Sequence, residues 1–125
     1  MYQFSKISLE RLSECHVFLQ ELMLYAIRNS KQDFSILCGY RDQEAQEKAF
    51  KEKKSLAKWG QSKHNQFPSL AIDIAPYPIN WNDIERFDKL GNYIINCFEE
   101  LNFKDIKLTW GKYFKNLIDW GHFEI

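Results

Sequence analysis

The chain has 125 residues, 45% of them hydrophobic and 16% aromatic, so it can bury one core and is expected to form a single domain over residues 1–125. Its 17 basic and 17 acidic side chains give a formal net charge of zero, which excludes an overall field that would attract nucleic acid. No apolar run reaches the roughly 18 residues of a membrane span, and no apolar segment of a signal peptide follows Met1.

The first predicted element is a long amphipathic helix. Ser8 can cap a helix that begins near Leu9, and apolar residues recur at helical spacing up to about Arg28. His16 falls within this apolar stripe, either as a metal ligand or as a side chain that packs near the core and bonds to backbone. The second interpretation is preferred, since buried polar side chains are usually hydrogen-bonded within the protein.

A strand and a second helix are predicted next. Residues 34–38 are short and apolar, and Gly39 ends the strand that they predict. Asp42 can cap the following helix, which puts Arg41 on the turn between strand and helix, where functional groups are often presented. The guanidinium of Arg41 suits a carboxylate, because two parallel donors match two oxygens. The alternative is an exposed surface arginine.

Residues 53–69 are predicted to form a loop that carries His64 in a polar segment. The segment after this loop alternates, and as a strand it would place Leu70, Ile72 and Ile74 on one face and Ala71, Asp73 and Ala75 on the other. A buried carboxylate without a partner is costly. Asp73 is therefore expected to face either a metal ion or the side chain of a lysine or arginine.

The last third of the sequence predicts a helix and two strands. Asn82, with Glu85 in capping-box spacing, begins an amphipathic helix that reaches Leu101. Residues 106–110 alternate as a strand does, and residues 112–118 form a loop that leads to a terminal strand.

The terminal strand supplies a second cluster of polar residues. His122 and Glu124 share one of its faces, and the apolar residues beside them share the other. Together, His64, Asp73 and His122 offer two imidazole nitrogens and one carboxylate oxygen. Three such protein ligands, with a fourth position left to water, form the pattern of catalytic zinc.

The cysteines are not expected to take part in this site. Cys15, Cys38 and Cys97 are odd in number, far apart in sequence and without a Cys-x-x-Cys pair. The pattern favours reduced, mostly buried thiols in a protein made in the cytosol over a disulfide framework. Their spacing does not indicate zinc ligands.

Four short motifs occur along the chain, namely Cys38-Gly39-Tyr40-Arg41, Ser62-x-His64, Ala71-x-Asp73 and Trp120-x-His122-Phe123-Glu124. In order and spacing they resemble the motifs of the zinc D-alanyl-D-alanine carboxypeptidase and L-alanyl-D-glutamate peptidase family. The resemblance implies the hedgehog/DD-peptidase fold, which is an α+β fold with a small antiparallel sheet packed against helices. It also implies a zinc enzyme that cuts the stem peptides of peptidoglycan.

The resemblance implies roles for further residues. The matching arginine and serine of the family contact substrate, which implies this role for Arg41 and Ser62, although Ser62 could instead only form a turn. Asp119 matches the general base, and the alternative is a solvated or lysine-paired loop aspartate. Glu124 is a weaker candidate for the base, and it could instead orient a metal ligand by a hydrogen bond.

The arrangement Asp119-x-x-His122 resembles the phage-type L-alanyl-D-glutamate endopeptidases, whereas many carboxypeptidases of the family carry glutamate at the base position. The chain is therefore expected to be a monomeric phage endolysin, made in the cytoplasm without a signal peptide and released to the cell wall at lysis. Two departures affect the site. Gly121 stands where relatives often have proline, and Lys112-Tyr113 stand where they often have a Gly-Asp-Trp segment.

Three alternative functions stay open. The chain could be a D-alanyl-D-alanine carboxypeptidase, or a non-catalytic domain of the same fold that binds zinc or peptidoglycan without cutting. It could also be an unrelated α+β interaction domain, which would hold no stoichiometric zinc. The non-catalytic domain is less favoured, because a candidate base, Asp119, accompanies all three candidate ligands.

Overall fold

A computed structural model describes residues 1–125 as four α-helices and four β-strands. The helices are α1 (Lys6–Leu12), α2 (Val17–Asn29), α3 (Gln43–Lys51) and α4 (Ile84–Leu101). The strands are β1 (Phe34–Cys38), β2 (Ala71–Pro76), β3 (Thr109–Trp110) and β4 (His122–Glu124), and two 3-10 turns span Lys63–Asn65 and Gly111–Tyr113. None of the helices combines the length and hydropathy needed to cross a membrane.

The four strands form one antiparallel sheet in the order β1-β2-β4-β3. The predicted α+β class, with a small antiparallel sheet packed against helices, is therefore confirmed. Within this sheet, Asp73 of β2 lies opposite His122 of β4 on one side and opposite Cys38 of β1 on the other. Directly opposed residues have Cβ atoms about 4.5–5.5 Å apart, so the register brings these three side chains together.

The core lies on one face of this sheet, against α2 and α4. Ile72 and Ile74 of β2 are 0% and 1% exposed and pack in the core, as the alternation of the segment predicted. In β4, Phe123 is also fully buried and stacks on Trp110, with ring centroids 5.8 Å apart. The other face of β2, which carries Asp73, is left for the functional site.

The prediction of one continuous N-terminal helix is wrong. Ser5 rather than Ser8 caps α1, and the chain leaves the helix after Leu12 before His16 caps α2 through its Nδ1, which accepts from the backbone N–H of Phe18 at 3.2 Å. The apolar spacing continues across this break, so periodicity alone did not reveal it. His16 accepts a backbone hydrogen bond, as the preferred interpretation of this residue expects, and it belongs to neither group of side chains that could hold a metal.

Other helix and strand boundaries lie closer to their predicted positions. Asp83, one residue after the predicted Asn82, caps α4 by accepting from the N–H of Arg86 at 3.3 Å. The strand predicted over residues 106–110 is limited to Thr109–Trp110. The predicted loop 53–69 contains the 3-10 turn that presents His64.

Replacing Gly91 of α4 with alanine is expected to destabilise the protein, whereas the same substitution in an exposed helix usually stabilises it. In an exposed helix interior this change stabilises by about 1 kcal/mol. At Gly91 an added Cβ would lie 1.9 Å from the nearest ring atom of Trp110, so Gly91→Ala is expected to destabilise by about 1–3 kcal/mol. Urea unfolding should show this loss, while Asn96→Ala on the exposed face of α4 should be neutral or slightly stabilising. A stabilised Gly91→Ala protein would argue against this packing.

Candidate metal centre

His64 is held on its 3-10 turn so that one ring nitrogen faces Asp73. The hydroxyl of Ser62 caps the turn by accepting from the backbone N–H of His64 at 3.2 Å. The imidazole is 1% exposed, and its Nδ1 lies 2.7 Å from the carbonyl oxygen of Gly39. Since a carbonyl oxygen only accepts, Nδ1 is the donor. Nε2 is left facing Oδ1 of Asp73 at 3.1 Å.

His122 reaches the same carboxylate from β4. Its Nδ1 lies 2.9 Å from Oδ1 of Asp73, and its Nε2 lies 2.7 Å from Oε1 of Glu124. The side chain of Lys63 approaches the other oxygen of Glu124 at 3.6 Å, so the charge of that carboxylate is partly compensated. Glu124 thereby fixes which nitrogen of His122 faces Asp73.

The two imidazoles converge on one point. In each ring one nitrogen is held by an acceptor, the carbonyl of Gly39 for His64 and the carboxylate of Glu124 for His122, and the other nitrogen faces Asp73. Metal-binding histidines are typically oriented in this way by a carbonyl or carboxylate on the second nitrogen. Two imidazole nitrogens and one carboxylate oxygen suit zinc, so the residues present fit this metal.

The protonation states of His64, His122 and Asp73 depend on one another. Burial alone would lower the pKa of His64, but the negative charge of Asp73 raises it to about 10. Burial opposes the charged form of His122 as well, but the hydrogen bonds that this ring donates to the carboxylates of Asp73 and Glu124 raise its pKa to about 9. Although burial favours its neutral form, the charge of His64 and the hydrogen bond from His122 hold the pKa of Asp73 below its usual range. The cluster therefore favours positive charge beside Asp73, as a bound cation would supply.

Asp119 lies at the edge of this cluster. An oxygen of its carboxylate lies within 4.8 Å of potential ligand atoms of Asp73 and His122. Its backbone N–H donates to the carbonyl of Gly111 at 3.0 Å, and its carbonyl accepts from the N–H of His122 at 3.3 Å. Burial, together with the negative charge of Asp73, raises the pKa of Asp119 above its usual value. A raised pKa suits a group that must accept a proton near neutral pH.

The two departures from the family pattern have structural explanations. The carbonyl of Gly121 accepts from the N–H of Ile74 at 2.8 Å, and a Cβ at residue 121 would lie 2.2 Å from the carbonyl oxygen of Ile74. Glycine therefore lets the turn approach β2 closely. Lys112 donates a hydrogen bond to Oδ1 of Asp88 at 2.6 Å and does not line the cavity. Residues 114–117, which follow in sequence, line it.

Cys38 is closer to the site than its sequence spacing suggested. Its Sγ lies 3.8 Å from Nδ1 of His64, and Cys38, His64 and Asp73 form a second group of atoms within 4.8 Å of one another. The sulfur lies beside the nitrogen that donates to Gly39, whereas Nε2 is the nitrogen that faces Asp73. We therefore leave Cys38 outside the proposed ligand set.

Arg41 contacts the cluster from the turn after β1. Its Nη2 lies 3.5 Å from Oδ2 of Asp73, and its Nη1 donates to Oε1 of Gln46 at 2.9 Å. Both partners expected for Asp73, a basic side chain and a metal-binding arrangement, are thus present together. The contact to Asp73 is longer than the about 2.7–2.9 Å of a good charge-assisted hydrogen bond, so it leaves Nη2 available to a ligand.

Sequence reasoning missed Gln46. It is the one buried residue of α3. Its spacing from Asp42, one helical turn earlier, was visible in the sequence, but a single glutamine gives no sign of burial.

A cavity of about 450 Å³ opens over the cluster. Six of the seven candidate site residues from the sequence line it, namely Arg41, Ser62, His64, Asp119, His122 and Glu124. Residues 54–57 and 114–117 also line the cavity. Asp73 does not line it, although both lining histidines contact its carboxylate. The site thus combines a metal-binding arrangement, a candidate base and an open space for a ligand.

Comparisons with known proteins agree with this arrangement. The family model described as phage L-alanyl-D-glutamate peptidase matches residues 1–124. Among solved structures, the crystal structure of the Serratia marcescens L-Ala D-Glu endopeptidase ChiX is similar, with a TM-score of 0.81 and 23% sequence identity over 98% of this chain and 90% of that chain. A search of curated proteins returns no match. At this identity, the structural likeness establishes a shared fold.

Proposed function

Since the chain belongs to the phage L-alanyl-D-glutamate peptidase family, and is therefore a peptidase that acts on peptidoglycan, we propose that it is a zinc enzyme whose metal is held by His64, Asp73 and His122. One observation carries the proposal. Nε2 of His64 and Nδ1 of His122 lie 3.1 Å and 2.9 Å from the same oxygen of Asp73, each with its other nitrogen already hydrogen-bonded. This is the ligand chemistry of a catalytic zinc site.

The proposed reaction is hydrolysis of the amide between L-alanine and D-glutamate. Bound zinc supplies a Lewis acid that polarises the scissile carbonyl and activates water. Asp119 accepts a proton from the water molecule as the oxygen of that water bonds to the carbonyl carbon. When the carbon–nitrogen bond breaks, Asp119 passes that proton to the leaving amine. The position of Asp119 beside His122 and its raised pKa support this role.

Substrate binding is assigned to the two remaining predicted residues. Arg41 and Ser62 both line the cavity, and both precede His64 in sequence. Arg41 can present two donors to a carboxylate of the stem peptide. The hydroxyl of Ser62 already accepts from the N–H of His64, so the expected turn-forming role is present, and its own hydrogen can still be donated to substrate.

Arg41→Ala is expected to lower kcat/KM on a stem peptide by about 10- to 100-fold, because hydrogen bonds to charged groups are typically worth about 1.5–3 kcal/mol. Zinc content should stay at the wild-type level, since the three proposed ligands are intact. Arg41→Lys is the matched control, because it keeps the charge but lacks the planar fork, and it should recover only part of the loss. Normal kinetics in Arg41→Ala would remove this residue from the site.

The metal-free protein is expected to lose stability as the pH rises. The pKa values of His64 and His122 rise on folding from 6.5 to about 10 and about 9. The folded state therefore binds more protons than the unfolded state, and the stability from these groups is complete below about pH 6.5 and lost as pH approaches 9–10. With chelator present, the melting temperature at pH 9 should be lower than at pH 6.5.

The stabilisation that zinc adds should show the opposite dependence on pH. Zinc binds imidazole only in its unprotonated form, so its affinity, and with it the stabilisation that it adds, should increase over the same pH range. Asp73→Asn is the control, because it removes the charge that raises both histidine pKa values and should flatten the pH dependence of the metal-free protein. A wild-type protein with equal melting temperatures at both pH values in chelator would contradict this coupling.

The proposed activity can be tested on purified cell wall. Mass spectrometry of the released fragments should show new amino termini at D-glutamate, and chelator should abolish their release until zinc is restored. Release of free D-alanine would instead indicate a carboxypeptidase, and the absence of soluble fragments would indicate a domain that binds without cutting. Activity that survives complete chelation would overturn the zinc proposal.

We further propose that the protein reaches the cell wall after release at lysis and acts there as a monomer. The support is the phage family to which the chain belongs and a cavity that this chain forms by itself. Sedimentation of the active protein would test the second point, because a dimer at working concentration would contradict it.

A further inference from the structure

Gln46 is a fully buried polar side chain whose amide is completely hydrogen-bonded. It is 0% exposed. Its Oε1 accepts from Nη1 of Arg41 at 2.9 Å and from Nδ2 of Asn65 at 3.1 Å. Its Nε2 donates to Oγ of Ser55 at 3.1 Å and to the carbonyl of Ala57 at 2.6 Å. Both lone pairs and both hydrogens of the amide are therefore used.

These four partners come from three different segments of the chain around the cavity. Arg41 stands on the turn after β1, and Asn65 is the neighbour of the proposed ligand His64. Ser55 and Ala57 belong to the segment that forms one wall, and both line the cavity. One amide on α3 thus joins the proposed substrate arginine, the turn of a proposed metal ligand and a cavity wall.

The hydrogen bond that Arg41 donates to Gln46 fixes one edge of the arginine guanidinium. With Nη1 held by Gln46, the group cannot rotate freely about its long side chain, and Nη2 is directed to the region of Asp73. An arginine that is already oriented loses less conformational freedom when it binds a carboxylate. A buried acceptor beside Arg41 can therefore increase substrate affinity without touching the substrate.

We propose that Gln46 is a positioning residue that orients the Arg41 guanidinium for a carboxylate of the stem peptide. The inference rests on the proposed function, in which Arg41 binds substrate. It differs from a purely structural role, in which Gln46 would only hold the wall at Ser55 and Ala57. The two roles differ in one respect, because a positioning residue acts through Arg41 and a structural one does not.

A double-mutant cycle separates these roles. Gln46→Met, which has a similar volume but no polar atoms, is expected to lower kcat/KM by about tenfold, mainly through a higher KM, with zinc content unchanged. In the Arg41→Ala background the same substitution should have almost no further effect on kcat/KM. Effects that multiply in the double variant would overturn the inference, because they would show that Gln46 acts independently of Arg41.

Gln46→Glu provides a second test that does not depend on the folding of the methionine variant. It keeps an oxygen facing Arg41 and Asn65 but replaces the donor to the carbonyl of Ala57 with an acceptor. A residue that acts through Arg41 should therefore keep its KM near the wild-type value, whereas one that only holds the wall should not. A KM as high as that of Arg41→Ala would overturn the inference. Nitrogen-15 NMR of the arginine side chains in metal-free protein gives a readout apart from activity, and rotation of the Arg41 guanidinium should be slow in wild type and in Gln46→Glu. Fast rotation in wild type would count against the proposal.

The proposal and the function on which it rests fail in different ways. Normal kinetics in Arg41→Ala would remove the substrate role of Arg41 and with it the positioning role of Gln46. Impaired kinetics in Arg41→Ala, with independent effects of Gln46→Met, would overturn the positioning role alone. Activity without metal would overturn the zinc proposal alone, because the kinetic tests of Arg41 and Gln46 do not depend on it.

Discussion

Asp119→Asn is expected to lower kcat by about 10²–10⁴-fold while zinc stays bound. Asparagine keeps the shape of the side chain and one acceptor oxygen, but it cannot take a proton from the attacking water. The three proposed ligands remain, so elemental analysis should find the wild-type amount of zinc. Single-turnover assays on a defined stem peptide would show whether the loss lies in the chemical step, as expected for a general base.

Two outcomes for Asp119→Asn would contradict this assignment. Loss of zinc would identify Asp119 as a ligand, which its position near Asp73 and His122 allows, and would leave Asp73 in a structural role. Retention of both zinc and a near-normal rate would place the base elsewhere. Glu124 would then be tested next, since its carboxylate contacts His122 directly.

His122→Ala is expected to abolish zinc binding and turnover together. The substitution removes the nitrogen that approaches Asp73 from β4, and a site with two remaining ligands cannot hold zinc in the usual geometry. The stabilisation that zinc gives the folded protein should disappear as well. Elemental analysis, the rate on cell wall and the shift of melting temperature with zinc should therefore all fall to the level of the chelated protein.

His16→Ala is the matched control for this experiment. The third histidine of the chain caps α2 and lies outside the cluster, so its loss should cost about 1 kcal/mol of stability and leave zinc content and rate unchanged. A His122→Ala protein that keeps its zinc, or a His16→Ala protein that loses it, would show that the ligand set is wrong. Taken with Asp119→Asn, the comparison separates metal binding from proton transfer.

The site was more predictable from sequence than its surroundings. The alternation around Asp73 correctly gave the face of β2 that lies away from the core, and the terminal strand was correctly placed at His122. Both results depend on the two-residue period of a strand, which is a local property. The register that sets Asp73 opposite His122 is a property of two distant segments. That these residues meet was indicated only indirectly, by their fit to a zinc ligand set and by the family resemblance.

The features that were missed depend on neighbours distant in sequence. Gln46 is buried because Arg41, Asn65 and the wall segment surround it, and nothing near it in sequence signals this. Cys38 reaches His64 because β1 pairs with β2. The break before α2 was missed for a different reason, since the apolar spacing keeps its phase across it and only the capping by His16 marks the new start.

The hydrogen bond between Asp119 and Gly111 closes the base of the segment that carries residues 114–118. Lengthening a flexible loop costs little, about 0.6 kcal/mol for each doubling, so insertions in that segment would leave the pairing of Asp73 with His122 intact. An insertion between Asp119 and His122 would instead separate the proposed base from the proposed ligand. Changes in the length of this segment are therefore expected to reshape one wall of the cavity and leave the cluster around Asp73 in place.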